Sequence, residues 1–141
     1  MFETVQSLAG GVTILLTGIA AGAAWVATIV APNCSFDRLD YSRADGHVRQ
    51  LLLSASAQIS GVLLAATATG ILSGAYGSAV LSLIACFGFF TNRWTLAPKK
   101  KSEAPPGVRQ RKKSQRIVAV GFSLMFAAVA AISAVLAVFN I

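Results

Sequence analysis

Histidine occurs once in this chain, at His47, cysteine twice, at Cys34 and Cys86, and acidic side chains only five times in 141 residues. Each scarcity removes a class of chemistry. One histidine cannot hold a haem between two axial imidazoles. Two cysteines without a C-x-x-C spacing give no basis for thiol–disulfide exchange. Cys34 closes the first apolar segment and Cys86 sits mid-way along the third, so the two lie at different depths and do not suit an intramolecular disulfide. Transition-metal sites need several His or Cys at defined spacing, whereas Cys34, Asp37, Asp40, Asp45 and His47 are scattered along one segment. No metal and no cofactor is expected. No Ser-His-Asp set, nucleophile elbow or phosphate loop is present either.

Charge is absent over long stretches. None occurs between Glu3 and Asp37, between Arg49 and Arg93, or from Arg116 to Ile141. Composition agrees, with 55% of residues hydrophobic and 12% charged, against about 25% charged in soluble domains. A soluble fold of this size cannot hide so much apolar surface, so lipid is the expected solvent.

About 20 apolar residues cross the hydrocarbon core as a helix. The first and last uncharged stretches each hold one crossing. The middle stretch holds two, divided by Ser73-Gly74-Ala75-Tyr76-Gly77, where glycine supplies the turn. The expected fold is therefore an all-α integral membrane protein: a single domain over 1–141 forming a four-transmembrane-helix bundle. Its helices are placed near 8–30, 51–72, 77–96 and 117–139, with loops at 33–50 and 97–116. A cleaved signal peptide is the rival reading of the first segment. Met1–Ser7 lacks the basic residues such a peptide wants, and the apolar run is too long for one.

Four crossings put both termini and the 73–77 turn on one face. All twelve Lys and Arg lie in the other two loops or at their helix ends. Basic residues in short loops stay cytoplasmic, which predicts an N-out, C-out protein. The compact chain suits a bacterial inner membrane. A weak internal echo joins the halves: Trp25 and Ala31-Pro32 end one span, Trp94 and Ala97-Pro98 end another. It suggests two helical hairpins in parallel pseudo-repeat.

Small residues recur along the spans. Gly11, Gly18 and Gly22 form one stripe in the first. Ser54, Gln58, Gly61, Ala65 and Thr69, then Gly70 and Gly74, follow in the second. Close packing and interhelical hydrogen bonds hold helices together in lipid, so these residues are expected to pack the four helices against one another. The rival reading makes one stripe a docking face for another protein. Gln58 is the most polar side chain deep inside a span and is expected to find a Ser, Thr or carbonyl partner on a neighbouring helix.

Residues 99–116 carry eight Lys or Arg: Lys99, Lys100, Lys101, Arg109, Arg111, Lys112, Lys113 and Arg116. Such juxtamembrane clusters are drawn to anionic headgroups; an acidic protein partner is the rival. Nucleic acid is not expected, because no aromatic interleaving accompanies the charge. Pro105-Pro106-Gly107 denies this loop a continuous helix. In loop 33–50 the signs alternate, and Ser42–Gln50 reads as a helical extension of the second span, with Asp45 and Arg49 one turn apart.

Apart from Arg93 at the end of the third, the spans contain no Asp, Glu, Lys, Arg or His. Proton-coupled transporters place such a group at mid-membrane, and acid–base catalysis needs one as well. What remains is action by binding. The leading expectation is an accessory, assembly or stabilising subunit of a larger membrane complex, or one that self-associates. A small oligomeric transporter or channel is the alternative, as is a lipid-handling enzyme with its site at the cytoplasmic surface.

Overall fold

The computed structural model describes residues 1–96 and 108–141, the side chains of 108–116 excepted. The described residues form α1 (Phe2–Trp25), a π-turn (Val26–Val30), α2 (Ala31–Arg38), α3 (Tyr41–Ser73), α4 (Tyr76–Leu96) and α5 (Val108–Val138). Four helices are long and apolar enough to cross a membrane: Phe2–Arg38, Tyr41–Ser73, Tyr76–Leu96 and Ile117–Val138.

The helices pack as a ring. α1 lies against α3 and α5, and α4 lies against the same two. The shared core is built from Ala20, Ala24, Ile59, Leu63, Ala85, Phe89, Ala127 and Ala130. So many alanines let the helices approach closely, which matters where lipid removes most of the hydrophobic drive. Large apolar side chains point outward instead: Leu15, Ile19 and Trp25 on α1, Val80, Ile84, Phe87 and Trp94 on α4, and Phe122, Met125, Ile132 and Val135 on α5 are all exposed. Water would not tolerate an apolar surface of this extent; hydrocarbon solvates it.

At one end of the bundle the chain ends meet the α3–α4 turn. Gln6 donates to the Ser73 carbonyl at 3.1 Å, and the Ser78 N–H donates to the main-chain oxygen of Ile141 at 3.0 Å. The turn itself is a Schellman cap. Gly74 takes φ +82°, its N–H reaches the Ile71 carbonyl, and the Ala75 N–H reaches that of Gly70. A side chain at Gly74 would strain this backbone. At the opposite end Val48, Leu52, Leu96 and Ala119 form a second small core beside Phe36, and Arg49 Nε donates to the Leu96 carbonyl at 3.0 Å.

Three expected loops or breaks are helical. Pro32 was expected to close the first span, yet helix continues to Arg38. The π-turn ends two residues before this proline, whose ring would otherwise collide with the Thr28 carbonyl and whose missing N–H gives that carbonyl no donor. The Thr28 hydroxyl donates to the Ala24 carbonyl at 2.7 Å within the same turn. The connection over 33–50 reduces to Leu39 and Asp40: α3 starts at Tyr41, which includes the helical extension read over Ser42–Gln50, and α2 takes up residues to Arg38. The Phe36 and Tyr41 rings meet across that break in a tilted arrangement, centroids 5.6 Å apart. In the second basic loop, α5 starts at Val108, directly after the Pro-Pro-Gly sequence rather than near 117. Proline and glycine before it do not keep residues 108–116 from coiling.

Candidate functional site

Polar side chains inside the ring pair with one another. The Thr13 hydroxyl donates to the Ala9 carbonyl and lies 2.8 Å from Thr69 Oγ1, joining α1 to α3. Ser78, Ser82 and Ser133 join α4 to α5. Ser78 donates to the Ser133 carbonyl at 2.9 Å, Ser133 to the Ser78 carbonyl at 2.8 Å, and Ser82 lies 2.8 Å from Ser133 Oγ. All three serines are fully buried. Nearer the basic end, Asn92 Nδ2 donates to Ser123 Oγ at 2.7 Å. Cys86 Sγ sits 3.2 Å from the Ser60 carbonyl, joining α4 to α3. None of these bonds was anticipated from sequence. Serine and threonine are frequent in every span, and only the helix pairing selects which of them meet.

Beside Asn92 a cavity of about 150 Å³ opens between α4 and α5, lined by Gly88, Thr91, Thr95, Phe122 and Phe126 as well. It mixes the Phe122 and Phe126 rings with the polar side chains of Thr91, Asn92 and Thr95.

The residues singled out from sequence divide into two groups. Gly70 packs inward: it is buried against Ala79, whose Cβ would lie 3.2 Å from any Cβ added there. Gly74 is the turn residue. Gly11, Gly18, Gly22 and Gly61, however, are exposed, and a Cβ added at each would meet nothing within 4 Å. Gln58 is exposed as well, and among the described residues it has no hydrogen-bond partner. These five were expected to pack the bundle; they face away from it. The physical reason is that lipid is as apolar as a protein core, so a small or apolar stripe does not say which face it covers.

On α3 the contrast between faces is sharp. Leu52, Ser56, Ile59, Leu63, Ala66 and Gly70 make the buried stripe. Directly opposite run Ser54, Gln58, Gly61, Ala65 and Ala68, all exposed. Large apolar side chains crowd the outer faces of α1, α4 and α5; from Leu51 to Gly70 the outer face of α3 has one, Leu64. Gln58 lies about two turns, roughly 10 Å, beyond Leu51 along α3, within the stretch Tyr41–Ser73 that is long and apolar enough to cross a membrane. An amide left unpaired in hydrocarbon costs roughly 4–8 kcal/mol relative to water.

At the basic end, Cys34 and His47 are exposed. Among the described residues no three of His, Cys, Asp and Glu come together as metal ligands. Lys99, Lys100 and Lys101 lie outside the described residues. Arg109, Arg111, Lys112, Lys113 and Arg116 occupy the first turns of α5. Cations there oppose the helix dipole, which favours an anion close by. Comparison of the chain with protein-family models, with curated proteins and with solved structures gives no match.

Proposed function

We propose that the protein acts by binding within the membrane, as a small non-catalytic accessory, assembly or stabilising subunit of a larger membrane complex. One observation carries this reading. The outer face of α3 carries small and polar residues, Ser54, Gln58 and Gly61, and α1 leaves Gly11, Gly18 and Gly22 exposed between its large apolar side chains. A chain whose only neighbours are lipids has no use for such faces, because bulky apolar side chains solvate better there. The interior hydroxyls are spent on the protein's own helix pairs, which leaves the outer faces as the surface on which it works.

The orientation we assign puts both termini outside and the basic end in the cytoplasm of a bacterial inner membrane, since every Lys and Arg belongs to that end. Anionic headgroups are then the natural partners of the basic segment 99–116. We also retain two hairpins in pseudo-repeat, each with its connection at the basic end. The test is purification of the tagged protein from native membranes in mild detergent, followed by mass spectrometry. A stoichiometric second membrane protein is the expected result. Loss of every such association, in lipid nanodiscs as well as in detergent, contradicts the reading.

The transporter alternative needs Ser54, Gln58 and Thr69 to line one path between protomers. Ser54 and Gln58 do share the outer face, but Thr69 is engaged with Thr13, which counts against it.

A further inference from the structure

We infer that the crevice between α4 and α5 around Asn92 is a binding site for a neutral lipid alcohol, an apolar body ending in a hydroxyl that donates its hydrogen to the Asn92 side-chain oxygen. Such a site is additional to the outer faces proposed above for protein partners and does not depend on them.

Asn92 lines the cavity of about 150 Å³ and is only 4% exposed, yet its two ends are served unequally. Nδ2 donates to Ser123 Oγ at 2.7 Å and, at 3.5 Å, to the Ala119 carbonyl. That carbonyl can only accept, which fixes the amide with its nitrogen toward α5 and its oxygen toward Thr95. Among the described residues the one donor near Oδ1 is the Thr95 hydroxyl, 3.4 Å away. A hydroxyl has a single hydrogen, and Thr95 gives it to the Asn92 main-chain carbonyl at 2.8 Å. The buried amide oxygen is left without a close donor, a costly state unless a ligand supplies one.

The rest of the crevice calls for the same chemistry. Thr91 spends its hydroxyl hydrogen on the Gly88 carbonyl at 2.9 Å, so both threonines, like Asn92, have oxygens left to accept with. No charged side chain lines the cavity. An ammonium there would lose its hydration without a counter-charge. A carboxylate, phosphate or ketone would set acceptor against acceptor. A neutral hydroxyl satisfies the site.

Size and depth agree. An apolar cavity of about 150 Å³ accepts a benzene-sized body. Here Gly88 has no side chain, and the Phe122 and Phe126 rings lie 15° from parallel with centroids 6.3 Å apart. Thr95 stands next to the basic end of α4, Thr91 one turn inward and Gly88 nearly a turn further; Phe126 lies one turn inward of Phe122 on α5. Polar groups are thus nearest the headgroups and apolar ones deeper, the order in which a lipid alcohol lies in a leaflet. Thr91, Thr95 and Phe122 are exposed, which leaves the crevice open for a chain to enter.

Photolabelling of the purified protein in phosphatidylcholine liposomes tests this. The probe is a diazirine-bearing fatty alcohol; the comparison is its methyl ether, which keeps the chain and the oxygen but cannot donate. Saturable labelling of the peptides holding residues 88–95 and 122–126 is expected from the alcohol. The ether should label them about threefold to tenfold less, the size of one neutral hydrogen bond. Thr91→Val with Thr95→Val should lower labelling by the alcohol by a similar factor. Asn92→Leu alone would strand Ser123; paired with Ser123→Ala it removes both partners of that bond, which spares the fold, and should bring the alcohol down to the level of the ether. Unlabelled diacylglycerol, polyprenol and fatty alcohol then compete with the probe, and the tightest competitor names the source of the hydroxyl. Displacement by none of the three overturns the proposal. So does equal labelling by alcohol and ether, labelling spread evenly over the outer faces of the spans, or variants that label like the parent; water or a partner's helix then fills the crevice.

Discussion

The seam between α4 and α5 and the outer face of α3 both carry hydrogen-bonding side chains at membrane depth, and they handle them in opposite ways. Along the seam each hydroxyl finds a partner inside the chain: Ser78, Ser82 and Ser133 exchange bonds at 2.8 to 3.0 Å and are shut off from the bilayer. On α3, Ser54 and Gln58 look outward from a surface of small side chains. The seam completes the fold. The α3 face is left incomplete by the fold, and incompleteness in hydrocarbon points to assembly. Polarity alone therefore does not mark a functional residue in a membrane span; polarity that the chain leaves unpaired does.

The largest effect expected from breaking the comparison lies on the seam side. Gly88 faces the Phe126 ring so closely that an added Cβ would collide with it. Phe126 in turn stacks on Phe122, with ring centroids 6.3 Å apart, and leans on Phe89. Gly88→Leu should therefore force α4 and α5 apart and cost about 2–3 kcal/mol. Steric-trapping or mixed-micelle unfolding would register it. A stability equal to the parent protein would mean that the ring swings freely into the bilayer and that the α4–α5 packing is looser than described.

A smaller loss should follow from Ser133→Ala. That change removes the acceptor of the Ser82 hydroxyl and the donor to the Ser78 carbonyl. The Ser78 carbonyl sits within a helix, so only part of the bonding is orphaned. About 1 kcal/mol is expected, in keeping with interhelical bonds measured in lipid. Ser78→Ala with Ser133→Ala should cost less than the two single changes added together, because each removes part of the same network.

How far these features were legible in sequence depends on what set them. Four helices long and apolar enough to span a membrane followed from charge segregation. The Gly74 turn followed from glycine between two apolar runs. Helix through Pro32 did not, since a π-turn removes the clash that makes proline a stop signal. Nor did the helical start at Val108 or the helix through 31–38, whereas the helical extension over Ser42–Gln50 is legible in the one-turn spacing of Asp45 and Arg49. The facing of α1 and α3 was the least legible. In water the apolar stripe of a helix identifies its buried face; between two apolar surroundings Gly18 or Gln58 fits either side, and only the packing of Thr13 on Thr69 and Gly70 on Ala79 fixes the rotation.

The smallest expected effect is the most diagnostic. If the α3 face belongs to assembly and the seam to folding, Gln58→Leu should leave the unfolding of the isolated monomer within about 0.5 kcal/mol of the parent, since the amide makes no bond to any described residue. The experiment has to be run where the protein is monomeric, because a bond between protein molecules would otherwise enter the stability by mass action. At protein densities that favour association, the same substitution should lower the apparent stability, and the deficit should grow as the lipid-to-protein ratio falls. A cost of 1 kcal/mol or more in the monomer would place Gln58 with Ser133, as a residue that closes the bundle. A stability indifferent to both dilution and substitution would leave the α3 face without a binding role.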